Sequence, residues 1–169
     1  LGKSATASST YNNDPGFAAN FAIDGRSETR WASNKSDAEW LYIDLGVAIL
    51  INRIVIAWET ALGKDFNLDC STDAVTWSTL QSIRGNTSQA TDVSVSGTCR
   101  YVRLFGVARG TPYGYSIWEF EVYGAAPPTS LCVSTGCKIN WDAVTKNTDG
   151  TPGVVTDYIL IVGPTSLHV

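Results

Sequence analysis

The sequence has no methionine, a single histidine (His168), no cluster of lysines or arginines, and no apolar run approaching the thickness of a bilayer. Each shortage removes a class of function. Nucleic-acid binding draws most of its affinity from clustered cations, which a net charge of −4 with scattered Lys and Arg does not supply. A spanning helix needs about 20 consecutive apolar residues. Gly-x-Ser-x-Gly, His-Glu-x-x-His and phosphate-cradling glycine loops are all missing, and two carboxylates serve a glycosidase only when a cleft holds them about 5–10 Å apart. An enzyme site is not expected. The chain starts at Leu1 with neither Met nor a signal-like segment, as expected of a mature or excised piece of a larger precursor.

What is present is a globular composition, 44% hydrophobic and 17% charged over 169 residues, enough for one full domain and part of another. The signal is β throughout. Runs such as WLYIDLG (40–46), INRIVIAWE (51–59), KDFNLDCS (64–71), TDVSVSG (91–97) and RYVRLFGV (100–107) are divided by Gly, Asn, Asp and Ser, and none keeps a 3.6-residue period. Strands of this size and spacing predict an antiparallel sandwich or barrel. In RYVRLFGV both faces carry bulk, which predicts a central strand. Asp44, Arg53 and Arg103 lie inside apolar runs, so they either pair across neighbouring strands or stand at strand ends in water.

The segment AAPPTS (125–130) breaks the pattern with two prolines. It predicts a domain of residues 1–125, a linker over 126–130, and a second unit over 131–169 with strands KINWDAV and TDYILIVG. Four cysteines without zinc spacing point to disulfides and an oxidising compartment. Pairing Cys70 with Cys99 and Cys132 with Cys137 respects the domain division and is one of three possible arrangements. The sequons at Asn34 and Asn86 agree with a secreted protein.

Two stretches carry the candidate chemistry. GTPYGYSIWEFEVYG (110–124) crowds aromatics among glycines. From Ile117 it alternates, with Trp118, Phe120 and Val122 on one face, and Trp118 and Phe120 are expected in the core. RGTPYGYS before it has no such rhythm, so Tyr113 and Tyr115 either stand on a loop as stacking surfaces for a sugar or plug the end of the sandwich. In AIDGRSETRW (22–31), Asp24-Gly25 is a turn signal. A turn alone explains it; equally, inward carbonyls with Asp24 and the Thr29 hydroxyl would suit a hard cation of six to eight oxygens.

The N-terminal motifs ATASSTYNN, AIDGRSETRWAS, EWLYIDLG, NRIVIAWETALGKDF, STDAVTW, RYVRLFG and YGYSIWEFEVYG together resemble, in order and over residues 1–125, the discoidin domain. This is also the coagulation factor V/VIII type C domain, and in bacteria carbohydrate-binding module family 32. The resemblance implies an all-β jelly-roll β-sandwich and a structural calcium ion. Its ligands would be the carbonyls of Phe21, Arg26 and Trp118, the side chains of Asp24 and Glu119, and Thr29 through carbonyl and hydroxyl. It also implies a sugar site in loops at one end of the sandwich, similar to modules that bind glucan- or chitosan-type chains. Arg30 and Glu59 would meet hydroxyls or amines, Tyr113 and Tyr115 would supply aromatic surface, and Asn12, Asn13 and Asp14 lie in the variable first loop. Lys35 stands where such relatives carry an aromatic residue and would favour an acidic or neutral glycan. Membrane lipid, a ligand of some animal relatives, is not expected, because the loops lack apolar spikes and a basic rim. Residues 131–169 resemble the opening of a bacterial fibronectin type III domain. The expected function is non-catalytic carbohydrate binding by an accessory module of a secreted protein. The alternative is a structural or adhesive subunit self-associating through strand exchange by the apolar TDYILIVG segment.

Overall fold

Alternation of apolar and polar residues decides how each strand faces. The computed structural model describes residues 2–125 and two further short strands, 159–162 and 165–168. In chain order the strands are β1 (Ser4–Ala7), β2 (Trp31–Ala32), β3 (Trp40–Trp58), β4 (Gly63–Ser71), β5 (Ser78–Ile83), β6 (Ala90–Arg109), β7 (Ser116–Ala125), β8 (Ile159–Val162) and β9 (Thr165–His168). The chain divides into two units, Leu1–Thr129 and Ser130–Val169. In the first, the strands run in the order β2-β7-β3-β6-β4-β5, with β1 also on β3, and all pairings are antiparallel.

The two long strands build both layers of the sandwich. Residues 41–44 of β3 pair with β1 and 40–44 with 101–105 of β6, whereas residues from 49 onward pair with the first half of β6 and from 50 onward with β7. The register breaks between Asp44 and Ile49, where Gly46 has φ +82° and Val47 is exposed, so the strand bends there without ending. The separate runs 40–46 and 51–59 are therefore one strand, and 91–97 with 100–107 another. Leu41, Ile43, Ile54 and Ile56 of β3 meet Val102 and Leu104 of β6, Phe66 and Leu68 of β4, and Ile117 and Phe120 of β7 in one core.

β6 lies between β3 and β4, the central position its two bulky faces predict. Its outer face carries Tyr101, Arg103 and Phe105 beside Trp40, Tyr42 and Trp77, with Trp40 stacked on Tyr42 at 5.6 Å and Arg103 4.1 Å from the Trp77 ring centre. The charges within apolar runs pair across strands: Arg100 with Asp44 at 3.0 Å, Arg53 with Asp92 at 2.7 Å, and Arg103 with Asp69 at 2.8 Å. Cys70 and Cys99 are joined, as the domain division predicts, with Cα atoms 5.3 Å apart.

The expectation for Trp118 is corrected. Between β3 and β7 the pairing steps from Ala57–Glu119 to Trp58–Ile117, so β7 carries one extra residue, Trp118. Ile117 and Phe120 both reach the core, while Trp118 is only half-buried, with the Arg30 guanidinium 5.5 Å from its ring centre. In the second unit β8 and β9 pair antiparallel, Ile159 opposite His168, so the apolar 159–162 segment is already paired within the chain. The remaining C-terminal expectations, the 126–130 linker, Cys132 with Cys137 and the fibronectin-like segment as a whole, lie outside the described residues.

Candidate functional site

At one end of the sandwich four loops converge on a cleft of about 460 Å³. Tyr11 and Phe17 come from the first loop, Arg30 and Lys35 from the segment around β2, Glu59 from the turn after β3, and Tyr113 from the loop before β7. Backbone bonds hold these loops to one another. Ser33 N donates to Tyr115 O at 2.9 Å, Glu59 N to Ser116 O at 3.0 Å, and Ser116 N to Ala61 O at 2.9 Å. The Lys35 loop is further fixed by Asn34 N on Ser9 Oγ, Asn12 N on Asn34 Oδ1, Ser36 Oγ on Glu39 Oε1, and Arg109 Nε on Asp37 Oδ1. Gly114 allows a close approach: a Cβ there would sit 2.5 Å from Ser33 O and 2.6 Å from Asn34 O.

Tyr113 stands at this mouth with 62% of its surface exposed. The Lys35 ammonium lies 5.5 Å from its ring centre and 5.7 Å from that of Tyr11, within cation–π range of both. Arg30 is held over Phe17 at 4.6 Å, and its Nη1 is buried without a hydrogen-bond partner. Burial alone would raise the Glu59 carboxyl, but the Ala61 and Thr60 amides, the Thr60 hydroxyl and the Arg30 charge outweigh it and hold the group below its ordinary value. Neither Arg30, Lys35 nor Glu59 forms an ion pair among the described residues. The arrangement offers one open aromatic face, two cations and one carboxylate to a ligand of modest size.

Tyr115 is corrected. It borders the cleft, but its residue is wholly buried, its ring packs near Trp58, and its hydroxyl donates to Asp37 O at 2.8 Å. Burial pushes that hydroxyl above its usual range. It plugs the end of the sandwich and presents no stacking face. Arg30, Lys35, Glu59 and Tyr113 are brought together, whereas Asn12, Asn13 and Asp14 do not line the cleft. The first loop contributes Tyr11 and Phe17, which the sequence reading missed; two aromatics in a turn-rich stretch, TYNNDPGF, were the available signal.

The acidic turn is formed by the loop over residues 23–30 that leads into β2, with Glu119 of β7. Glu119 Oε1 accepts from Gly25 N at 2.8 Å and Arg26 N at 3.0 Å, Asp24 Oδ1 accepts from Arg26 N at 3.0 Å, and the Thr29 hydroxyl donates to Asp24 at 2.8 Å. Burial raises the Glu119 carboxyl; the two amides oppose this and the neighbouring Asp24 adds to it. Among the described residues no Lys or Arg forms an ion pair with either carboxylate, and the Arg26 guanidinium pairs instead with Glu28 at 2.9 Å. Two carboxylates, the Thr29 hydroxyl and the Arg26 carbonyl 3.5 Å from it are hard oxygen donors of the kind calcium takes.

Residues 4–120 match the F5/8 type C domain, and the chain belongs to that family. It is similar to chitosan-binding module 1 of a chitosanase/glucanase from Paenibacillus sp. IK-5, at 42% identity and a TM-score of 0.69, covering 73% of this chain and 96% of that one. Module 2 of the same enzyme, solved in complex with chitotriose, is similar at 34% identity and a TM-score of 0.70, covering 73% and 98%. A polysaccharide lyase 8 family protein, HylA, of Enterococcus faecalis is 28% identical over an alignment of 118 residues that covers 64% of this chain and 8% of that protein. The chain thus spans a small part of that relative's length.

Proposed function

We propose that the domain is a non-catalytic carbohydrate-binding module that takes a glucan, chitosan or related polysaccharide chain into the cleft at the end of the sandwich. The observation that carries this reading is Tyr113, an exposed ring on a loop fastened by bonds from Arg109 Nη1 to Tyr113 O and from Tyr113 N to Thr111 Oγ1, lining one cleft with Arg30 and Glu59. Sugar C–H groups stack on such a ring, while a guanidinium with a buried, partnerless N–H seeks an acceptor and a carboxylate accepts from hydroxyl or amine. Chitosan-binding relatives at 34–42% identity support the same ligand class. Among the described residues Glu59 is the one carboxylate lining the cleft, whereas glycoside hydrolysis by acid–base chemistry uses a pair. Such a module would hold a secreted polysaccharide-active partner near its substrate through effective concentration. No helix among the described residues is long and apolar enough to cross a membrane.

The acidic turn is a second element of this reading: Asp24, Thr29 and Glu119, with the carbonyls of Phe21, Arg26 and Trp118, would hold a structural calcium ion. The ion would supply positive charge between two adjacent carboxylates and take no part in sugar contact.

An array of glucans, chito-oligomers, galactosides and uronates probed with wild type and Tyr113→Ala tests the binding reading. Wild-type affinity is expected near ~0.1–1 mM, as one shallow site gives, and Tyr113→Ala is expected to weaken it by about tenfold or more. A folded wild type that binds no sugar would overturn the proposal.

A further inference from the structure

Lys35 places a cation in the cleft beside its exposed aromatic ring. The loop that carries it is fixed at Asn34, Ser36 and Asp37, and the ammonium lies between the faces of Tyr11 and Tyr113, within 6 Å of each ring centre. A lysine restrained in this way has lost part of its conformational freedom before any ligand arrives, so the cost of fixing it on binding is reduced. Its charge is also uncompensated. The acidic side chain of the same loop, Asp37, is taken by Arg109 at 2.8 Å, and Glu59 shares the cleft with Arg30, whose charge helps keep it ionised. A sugar stacked on Tyr113 therefore has a cation beside it and no carboxylate committed to neutralising that cation.

We propose that Lys35 is a specificity-determining residue, which makes the cleft prefer glycans bearing an anionic substituent, carboxylate or sulfate, over amine-bearing chains such as chitosan. The inference rests on the cleft being a glycan site. An anionic group beside Lys35 gains Coulomb attraction in an exposed setting, and a protonated amine there is repelled by a similar amount. Both effects are short-ranged and fade as salt shortens the screening length from about 10 Å at 0.1 M to about 3 Å at 1 M.

The test is calorimetric titration of the full chain and of its Lys35→Gln and Lys35→Arg variants. The probes are four oligosaccharides of equal length: a neutral gluco-oligomer, a uronate oligomer, a sulfated gluco-oligomer and a fully deacetylated chito-oligomer. Wild type is expected to bind one or both anionic chains more tightly than the chito-oligomer. Lys35→Gln should lower the anionic-to-neutral affinity ratio by about three- to tenfold and raise the chito-to-neutral ratio; Lys35→Arg should keep both near wild type, and 1 M salt should compress them. The uronate and sulfate arms show which anion the cleft accepts. Equal losses for every sugar in Lys35→Gln would make Lys35 a packing support of Tyr113 and overturn the inference, as would unchanged ratios. If wild type binds the neutral chain but shows no anionic preference, this inference fails while the glycan reading stands. If it binds none of the four, both fail.

Discussion

Among the ion-paired carboxylates of the described residues, Asp69 is the most buried. Its side chain is 5% exposed, Arg103 donates to Oδ2 through two nitrogens at 3.1 and 2.8 Å, and Thr79 donates to Oδ1 at 2.9 Å. Arg103 in turn lies against the rings of Trp77 and Phe105. Arg103→Met would preserve some apolar contact but strand a buried charge, and the expected loss in urea unfolding is about 3–5 kcal/mol. Adding Asp69→Leu should recover most of it, since removing both partners of a buried pair costs little. A single variant as stable as wild type would show that the pair contributes nothing. In RYVRLFG a cross-strand pair for Arg103 was one of two open readings, the other being a strand end in water. Which acid answers it was not legible, because Asp69 meets Arg103 only through the β4–β6 register.

The segment 33–37 and the loop before β7 work as one element. Ser33 exchanges bonds with Tyr115 through backbone and hydroxyl, and Gly114 lies where any Cβ would strike two carbonyls. Gly114→Ala is expected to push these loops apart. It should cost about 1–3 kcal/mol, as overpacking does, and weaken oligosaccharide binding although Tyr113 is untouched. Wild-type unfolding and binding in that variant would show the approach to be slack. The same region shows where the sequence could and could not be read. Strand identities and the clustering of Arg30, Lys35, Glu59 and Tyr113 were visible, the first from alternation and the second from family motifs. Tyr115 was not, because a loop tyrosine and an end plug share one local pattern and differ only in what lies beneath. Trp118 was misread because a single bulged residue reverses period-two phase, so Ile117 and Phe120 both point inward. The bends that fuse 40–46 with 51–59 were hidden by Gly46, a turn signal that here bends a strand.

At the scale of the whole domain, the bonds from the amides of Gly25 and Arg26 to Glu119 join its opening turn to its last strand across 94 and 93 residues of chain. A calcium ion shared by Asp24 and Glu119 would add strength to that closure, and its effect should appear in stability more than in sugar binding, because none of Asp24, Thr29 and Glu119 lines the cleft. An ion that binds only the folded state stabilises by about 2.7 kcal/mol at 100 times its Kd. Calcium is therefore expected to raise the melting temperature of chelator-treated protein in a concentration-dependent way, while oligosaccharide affinity well below that temperature changes less than about twofold. Glu119→Gln keeps an acceptor for the two amides but removes the charge, so it should fold with the turn intact and lose the response. A melting temperature indifferent to calcium, or a Glu119→Gln variant that responds like wild type, would rule out the ion and leave those two hydrogen bonds as the tie between the domain's ends.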